Sequence, residues 1–329
     1  MAECGQLLQG TLVQWTEKIF GGGYRPEEAV PLRGGAQKEV HRIRCSNGFR
    51  FVLYNWDVER NYFREELERE EQDSPISGFG GEAFRAASVF LNSLQIRTPE
   101  LYHFEPAGAI VGAAFAFVEF IEGREASDFF AAEPQLQDRI FEPLAEMVNT
   151  MHRQERTFWG RLQESPPPAL SAGCHKPMLP ALHRELDYLA KGMPAIHQHA
   201  GEFARVMDDL AAAIEVRPQY GFIHAELGPN HVLVDKQLRP YLIDLDGALY
   251  FDPEYEHSFL EFRFANYGRY FANSRLDPVR MAFYKLNHHL SYTAGAHRLL
   301  QRGYPDAEEV KGIMDYNRDQ ALRMLAEYR

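Results

Sequence analysis

Cysteine is scarce in this chain. Its three thiols, Cys4, Cys45 and Cys174, are odd in number and far apart, and no C-x-x-C pair occurs. Neither a disulfide framework nor a structural zinc site is indicated. Positive charge is also short. The 35 Lys and Arg face 47 Asp and Glu, a formal net charge of −12, which argues against a general nucleic-acid or membrane-surface binder. The same acidity suits a cationic small substrate, and suits plain solubility equally well. No apolar run is long enough to span a bilayer: the longest, around Ala107 to Ile121, is short and broken by Gly and Glu. The N-terminal segment lacks a basic stretch followed by an apolar core, so no signal peptide and a reducing cytoplasm are expected. No G-x-G-x-x-G phosphate loop is present, and no internal repeat is visible.

What is there suits a packed chain of two parts. Its 329 residues are long for one simple domain, and 45% are hydrophobic. A first helix is expected within 1–24, with Leu8, Leu12, Trp15 and Ile19 or Phe20 on one side and Gly21-Gly22-Gly23 as its stop. Strand signals follow around Ala29–Leu32, Glu39–Cys45 and Phe49–Tyr54, with Asn47-Gly48 as a hairpin turn. Arg60 to Asp73 is densely charged and reads as an exposed helix or insert with a solvated face. Helical spacing resumes over Glu82–Leu94, and strands are expected from Thr98 and over Ala114–Ile121. From Ser127 onward the pattern is mostly helical, with His152 closing an apolar stripe as a packed structural residue. Tyr255 to Tyr270 is unusually aromatic.

The chemistry concentrates in Gly221 to Pro253, GFIHAELGPNHVLVDKQLRPYLIDLDGALYFDP. Val232-Leu233-Val234 and Tyr241-Leu242-Ile243 are partly β-branched runs of strand length, and Asp235 to Pro240 is a hairpin turn between them. A hairpin lays the residues before its first strand beside those after its second. His224, Glu226 and His231 are thereby expected near Asp244 and Asp246. Carboxylates and imidazole gathered at one strand end suit Mg²⁺ binding and proton transfer.

H-A-E-L-G-P-N-H-V-L-V followed by L-I-D-L-D-G resembles the catalytic and metal-binding loops of the aminoglycoside phosphotransferase family, usually H-x-D-x-x-x-x-N and then I-D-F. Two letters depart from that pattern: Glu226 replaces the usual Asp base, and His231 replaces the metal-binding Asn, with Asn230 one place early. His at that place also occurs in macrolide-phosphorylating relatives. The resemblance implies an α+β, bilobal protein-kinase-like fold, with a small antiparallel-sheet N-lobe over 1–122 and a larger, mostly helical C-lobe over 123–329. It covers roughly Leu32 to Tyr270, and its sharpest part is the Gly221–Pro253 stretch.

The same resemblance implies the roles. Glu226 is the expected base, and His224 orients its loop. Asp244 binds Mg²⁺, joined by His231 or Asn230, with Asp246 either beside the metal or in place of a turn glycine. Gly34 and Gly35 would lie over nucleotide phosphates, as they precede the second strand. The third-strand lysine of the family is missing, with Tyr54 in its place, so the phosphate-binding cation is sought at Lys38, Arg42 or Arg50, with Lys38 preferred because it follows the glycines. Glu82 is either the carboxylate that holds this cation or a simple helix-start acid. Glu119, Phe120 and Ile121 resemble the hinge whose backbone meets an adenine. Glu254, Glu256, Glu261 and Asp277 would face a cationic acceptor.

The implied activity is ATP- or GTP-dependent phosphorylation of a hydroxyl on a cationic antibiotic: an aminoglycoside, a macrolide or a tuberactinomycin-like peptide. Rival readings are a metabolite kinase acting on choline, ethanolamine or homoserine, and a catalytically impaired nucleotide-binding pseudokinase. The expected partners are a nucleoside triphosphate and a small-molecule acceptor, without nucleic acid or membrane, in a monomer or homodimer.

Overall fold

The computed structural model describes residues 6–32, 36–70, 80–108, 112–165 and 173–328, except for the side chains of 6–9, 11 and 68–70. The chain begins with α1 (Gln6–Phe20), which stops at Gly21, where φ is +98°. Then come β1 (Pro26–Pro31), β2 (Glu39–Cys45) and β3 (Arg50–Trp56), followed by α2 (Arg64–Glu70), α3 (Gly81–Ser93), β4 (Leu101–Glu105) and β5 (Ala114–Glu119). These five strands form one antiparallel sheet in the order β1-β2-β3-β5-β4. The β2–β3 turn places Gly48 at φ +81°, the left-handed geometry that the Asn-Gly pair favours.

The period of two along these strands divides the core. Ile43, Cys45, Phe51, Leu53, Phe115 and Phe117 point to one face and pack with Leu12 of α1. Val52, Tyr54, Trp56, Ala116 and Val118 point to the other and pack with Phe84, Ala87 and Leu91 of α3. This second face continues into the helical half without a break, through Ile140, Leu144 and Val148. The sheet is therefore held to the rest of the molecule by a shared apolar layer.

Beyond the sheet, β6 (Gly123–Glu125) runs against the hairpin of the Gly221–Pro253 stretch. Gly123 is fixed by that approach, because a Cβ there would run into the Val234 carbonyl oxygen. The helical half contains α4 (Pro134–His152), a short β7 (Glu155–Arg156), α5 (His175–Gly192), α6 (Pro194–His197) and α7 (Ala200–Ala213). Next are β8 (Tyr220–Ile223), β9 (Val232–Asp235), β10 (Pro240–Leu242) and β11 (Leu249–Phe251), then α8 (Pro253–Arg263), α9 (Tyr267–Tyr270), α10 (Pro278–Gln301) and α11 (Ala307–Glu327). The result is a bilobal, protein-kinase-like α+β fold. No described helix is long and apolar enough to cross a membrane.

The charged segment after Arg60 differs from the expectation of a solvated face. Glu66 of α2 is nearly covered, pairing with Arg302 at 2.7 Å and Arg298 at 3.2 Å, both on or just past α10. Tyr62 packs edge-on against Tyr304, ring centroids 5.1 Å apart. Burial works to raise the Glu66 carboxyl, but the two guanidinium groups outweigh it and hold it below its ordinary value. Charge density in the sequence did not distinguish a solvated face from one whose charges find partners across the molecule.

Candidate active site

Two hairpins build the site. β9 and β10 pair in the register Val232↔Leu242 and Val234↔Pro240, and Ile243 N–H continues the ladder onto the His231 carbonyl at 3.0 Å. β8 and β11 pair as Ile223↔Leu249, which sets His224 beside the turn that follows Asp244. The residues after β8 and after β10 therefore meet at one corner. Two non-glycine residues there hold left-handed backbone, Ala225 at φ +73° and Asp244 at φ +63°. Each costs about 1–3 kcal/mol and persists where the surroundings over-determine it, typically at functional sites.

The two imidazoles are fixed by carbonyl groups. His231 Nδ1 lies 2.7 Å from the Glu226 carbonyl oxygen. A carbonyl can only accept, so Nδ1 carries the proton. The Nε2 atom is left facing Asp244 Oδ2 at 3.3 Å. A bare ring nitrogen and a carboxylate oxygen this close call for a cation between them, a proton or a metal ion. His224 donates from Nε2 to the Ile243 carbonyl at 2.9 Å, tying the first hairpin to the second. Its Nδ1 is buried without a partner among the described residues, and burial lowers its pKa.

Lys38 completes the corner from the sheet side. Its Nζ pairs closely with Asp244 Oδ1 and lies 2.8 Å from Asp246 Oδ1. It also stands 5.3 Å from the Tyr54 ring centroid and 5.8 Å from that of Trp56. Burial alone would lower the lysine, but the two carboxylates overcome it and raise it well above its ordinary value. Asp244 shows the complement: burial favours its neutral form, yet Lys38 and then His231 hold its carboxyl far below the usual range. Asp246 goes the other way. It is almost fully covered, burial pushes it up, and the Asp244 charge adds to that push. Trp56 Nε1 donates to its second oxygen at 2.6 Å.

Glu226 faces the cleft. Protein atoms crowd it, although it keeps exposed surface. That crowding raises its pKa, with Asp244 adding and His231 opposing. Its Oε1 accepts from the Tyr292 hydroxyl of α10 at 3.1 Å. A carboxylate held by one donor, with its other oxygen available, is placed to take a proton.

Other expected residues lie elsewhere. Asn230 Oδ1 accepts from Arg263 at 2.7 Å, so its amide is turned to α8 and away from Asp244. Glu82 is exposed and pairs with Arg85 at 2.9 Å; Lys38 takes the aspartates instead, which leaves Glu82 as a helix-start acid. Arg50 pairs with Glu122 at 3.1 Å. Glu119 closes β5 opposite Phe51, with Phe120 and Ile121 leading into β6. Gly34 and Gly35 lie outside the described residues.

The acidic residues of α8 need correction. Glu256 is fully buried, and its carboxylate accepts from the backbone N–H of His224 at 2.9 Å and of Ala225 at 3.2 Å while meeting His152 Nε2 at 2.7 Å. It braces the turn after β8 from behind. Glu254 is buried against Arg217 at 2.8 Å and the Asp277 N–H at 3.1 Å. Glu261 pairs with Lys285 at 2.8 Å, and Asp277 caps α10 and pairs with Arg280 at 2.6 Å. Each of these carboxylates has a partner within the protein. Reasoning from sequence missed Trp56, Tyr292 and Arg263. Only their positions in space recruit them; the expected strand stopped at Tyr54, and the observed one runs on to Trp56.

Known proteins resemble this chain in family and in fold. The model of the phosphotransferase enzyme family matches residues 80–268, more than half of the chain. No curated protein sequence matches it. Among solved structures, spectinomycin phosphotransferase APH(9)-Ia in complex with ADP and spectinomycin has a TM-score of 0.63 at 13% identity, covering 96% of this chain and 98% of its own. A thermostable mutant of aminoglycoside phosphotransferase APH(4)-Ia, in its apo form, has a TM-score of 0.58 at 16% identity, covering 94% and 98%. LicA in complex with AMP has a TM-score of 0.61 at 14% identity, covering 99% and 100%. At these identities the three likenesses speak to the fold.

Proposed function

Because the chain belongs to the phosphotransferase enzyme family, whose members move phosphoryl groups onto hydroxyls of small molecules, we propose that it transfers the γ-phosphoryl group of ATP or GTP to a hydroxyl of an amine-bearing antibiotic. The observation that carries the reading is the convergence of Lys38, Asp244, His231 and Glu226 on one corner. The acceptor oxygen attacks the γ-phosphorus, the bond from that phosphorus to the bridging oxygen breaks, and the nucleoside diphosphate leaves. The hydroxyl proton passes to the free oxygen of Glu226. Catalysis of this kind is mostly positioning and charge neutralisation. Lys38 supplies the fixed positive charge that a third-strand lysine supplies elsewhere in the family. The backbone of 119–121 is the hinge that receives the base, between a nucleotide-side lobe ending near 122 and an acceptor-side lobe.

Of the two donors that would face a metal here, the carboxylate suits Mg²⁺ and the imidazole nitrogen suits it less well than an oxygen ligand would. That ion keeps several waters and takes one or two protein ligands together with substrate phosphates. Asp244 Oδ2 and His231 Nε2, two facing acceptors, are the pair that would hold it. Among the described residues no cluster of three Asp, Glu, His or Cys forms a dedicated cage. Asp246 serves Lys38 and Trp56 instead. When bound, the ion neutralises charge on the phosphates. Antibiotic acceptors are supported by the structural neighbours named for spectinomycin and aminoglycosides.

Incubation with Mg²⁺, ATP or GTP and an antibiotic panel, read by mass spectrometry, tests this. The expected result is an acceptor heavier by one phosphoryl group, a product that Asp244→Ala abolishes while the protein keeps its melting transition. Product formation undiminished by that substitution would overturn it.

A further inference from the structure

Lys38 owes its place to the far end of another helix. A lysine in mid-strand is fixed by ladder hydrogen bonds along its backbone. Lys38 comes just before β2, whose first residue, Glu39, opens the ladder opposite Asn55. It therefore ends a loop, where the sheet alone does not fix it, and a misplacement of about 1 Å can cost a reacting group most of its effect. The segment after β3 holds it from both sides. The Tyr62 N–H donates to the Ala36 carbonyl at 3.0 Å, two residues before Lys38. One residue after it, Glu39 accepts from Arg60 at 2.7 Å and from Asn55 at 2.9 Å.

That segment is itself held from the helical half. Arg302, which closes α10, donates to the Tyr62 carbonyl and grips both oxygens of Glu66, at 2.7 and 2.9 Å. Arg298 adds a contact to Glu66 at 3.2 Å and is backed by Glu185 at 2.8 Å. A two-point grip of a carboxylate by a guanidinium is strong and fixes orientation as well as distance. The path is contiguous: the Arg302 guanidinium, the Tyr62 backbone, the Ala36 carbonyl, then Lys38 and the two aspartates. The same helix carries Tyr292, which donates to Glu226. One element of the helical half thus reaches the expected base from its middle and the phosphate-side lysine from its end.

We infer that Arg302 is a positioning residue: through the Tyr62 backbone it sets Lys38 against Asp244 and Asp246, and so against the nucleotide phosphates in the phosphotransferase reading on which this rests. Two measurements on the full chain test it. The first needs no nucleotide. Lysines are acylated with an N-hydroxysuccinimide ester and followed peptide by peptide by mass spectrometry. Arg302→Ala should label Lys38 at least about tenfold faster, with the exposed Lys236 unchanged as the reference. The second is a double-mutant cycle on the affinity for AMP-PNP with Mg²⁺, read by calorimetry. Arg302→Ala should weaken binding about tenfold in the wild-type background, and less than about twofold in a Lys38→Ala background. A merely structural role would give the same loss in both. Glu66→Gln, which loosens the grip and keeps the guanidinium, should move both readouts the same way by less, and it replaces Arg302→Ala if that variant loses its melting transition. In folded protein, Lys38 labelling unchanged by both variants, or an equal loss of AMP-PNP affinity with and without Lys38, would overturn the inference. Faster labelling in a chain that neither binds AMP-PNP nor phosphorylates any acceptor keeps the positioning role and removes the phosphotransferase reading. Phosphorylated product from a chain whose Lys38 labelling is indifferent to Arg302 does the reverse.

Discussion

Lys38→Ala removes the one cation that, among the described residues, pairs with both Asp244 and Asp246. Two carboxylates are then left side by side at a half-covered corner, Asp244 with a third of its side chain exposed and Asp246 almost none. Taking one partner from a fully buried pair costs about 3–5 kcal/mol. The exposure of Asp244 and proton uptake by Asp246 reduce this to about 2 kcal/mol. For a chain of 329 residues that is a fall of roughly 3 °C in melting temperature. The transition state loses a preorganised positive charge, and kcat should drop about 10²–10³-fold. The informative variant adds a lysine where the family has one. Tyr54 lies opposite Val40 in the β2–β3 ladder, on the same sheet face as Trp56, and its ring is 5.3 Å from Lys38 Nζ. Lysine at 54 therefore reaches the same aspartates. Lys38→Ala/Tyr54→Lys should recover at least about tenfold of the lost kcat, at a further stability cost because Tyr54 packs edge-on against Phe84 at 5.3 Å. Phosphotransfer by the folded single variant within threefold of wild type would refute the role of Lys38, with "threefold" taken as roughly the noise of such comparisons. A folded double variant that restores nothing would refute the idea of relocation.

The remaining predictions concern the loop and its supports. Tyr292→Phe removes the donor that holds Glu226 down, so the acidic limb of the kcat/KM pH profile should move to higher pH, at a cost of about 1 kcal/mol in stability; a downward shift or none counts against the assignment. His231→Ala should raise the Mg²⁺ concentration for half-maximal activity by about 10–100-fold, measured by metal titration, and an unchanged midpoint would exclude it as a ligand. Glu256 is held below its ordinary pKa because His152 outweighs the burial penalty, so the stability it contributes is present above the unfolded carboxylate pKa and is lost as pH falls through the depressed folded value. Glu256→Gln should lower the melting temperature near neutrality and flatten its decline in acid, as followed by circular dichroism. An equally steep acid decline would show that other groups control it.

The catalytic stretch was legible because its chemistry is local. β9, its turn and β10 lie within a few residues of one another, so strand propensity and turn residues were enough to bring His231 beside Asp244. The sheet of the first lobe was legible for a similar reason, since its strands alternate and Asn47-Gly48 marks a hairpin. Side-chain partners at long range were not. Glu254 and Glu256 carry the same letters as a cation-binding rim, and only the rotation of α8 decides that they turn inward, to Arg217 and to the peptide groups of His224 and Ala225. A buried carboxylate is stable only where donors meet it, and those donors come from segments more than 30 residues away in the chain. Trp56 and Tyr292 obey the same rule in reverse. Their apolar rings read as core, and each polar tip finds a carboxylate at the site, Asp246 for Trp56 and Glu226 for Tyr292. Asp246, 190 residues from Trp56, shows why the second aspartate could not be assigned between metal and support from the loop alone: its role is set by what the opposite lobe presents to it.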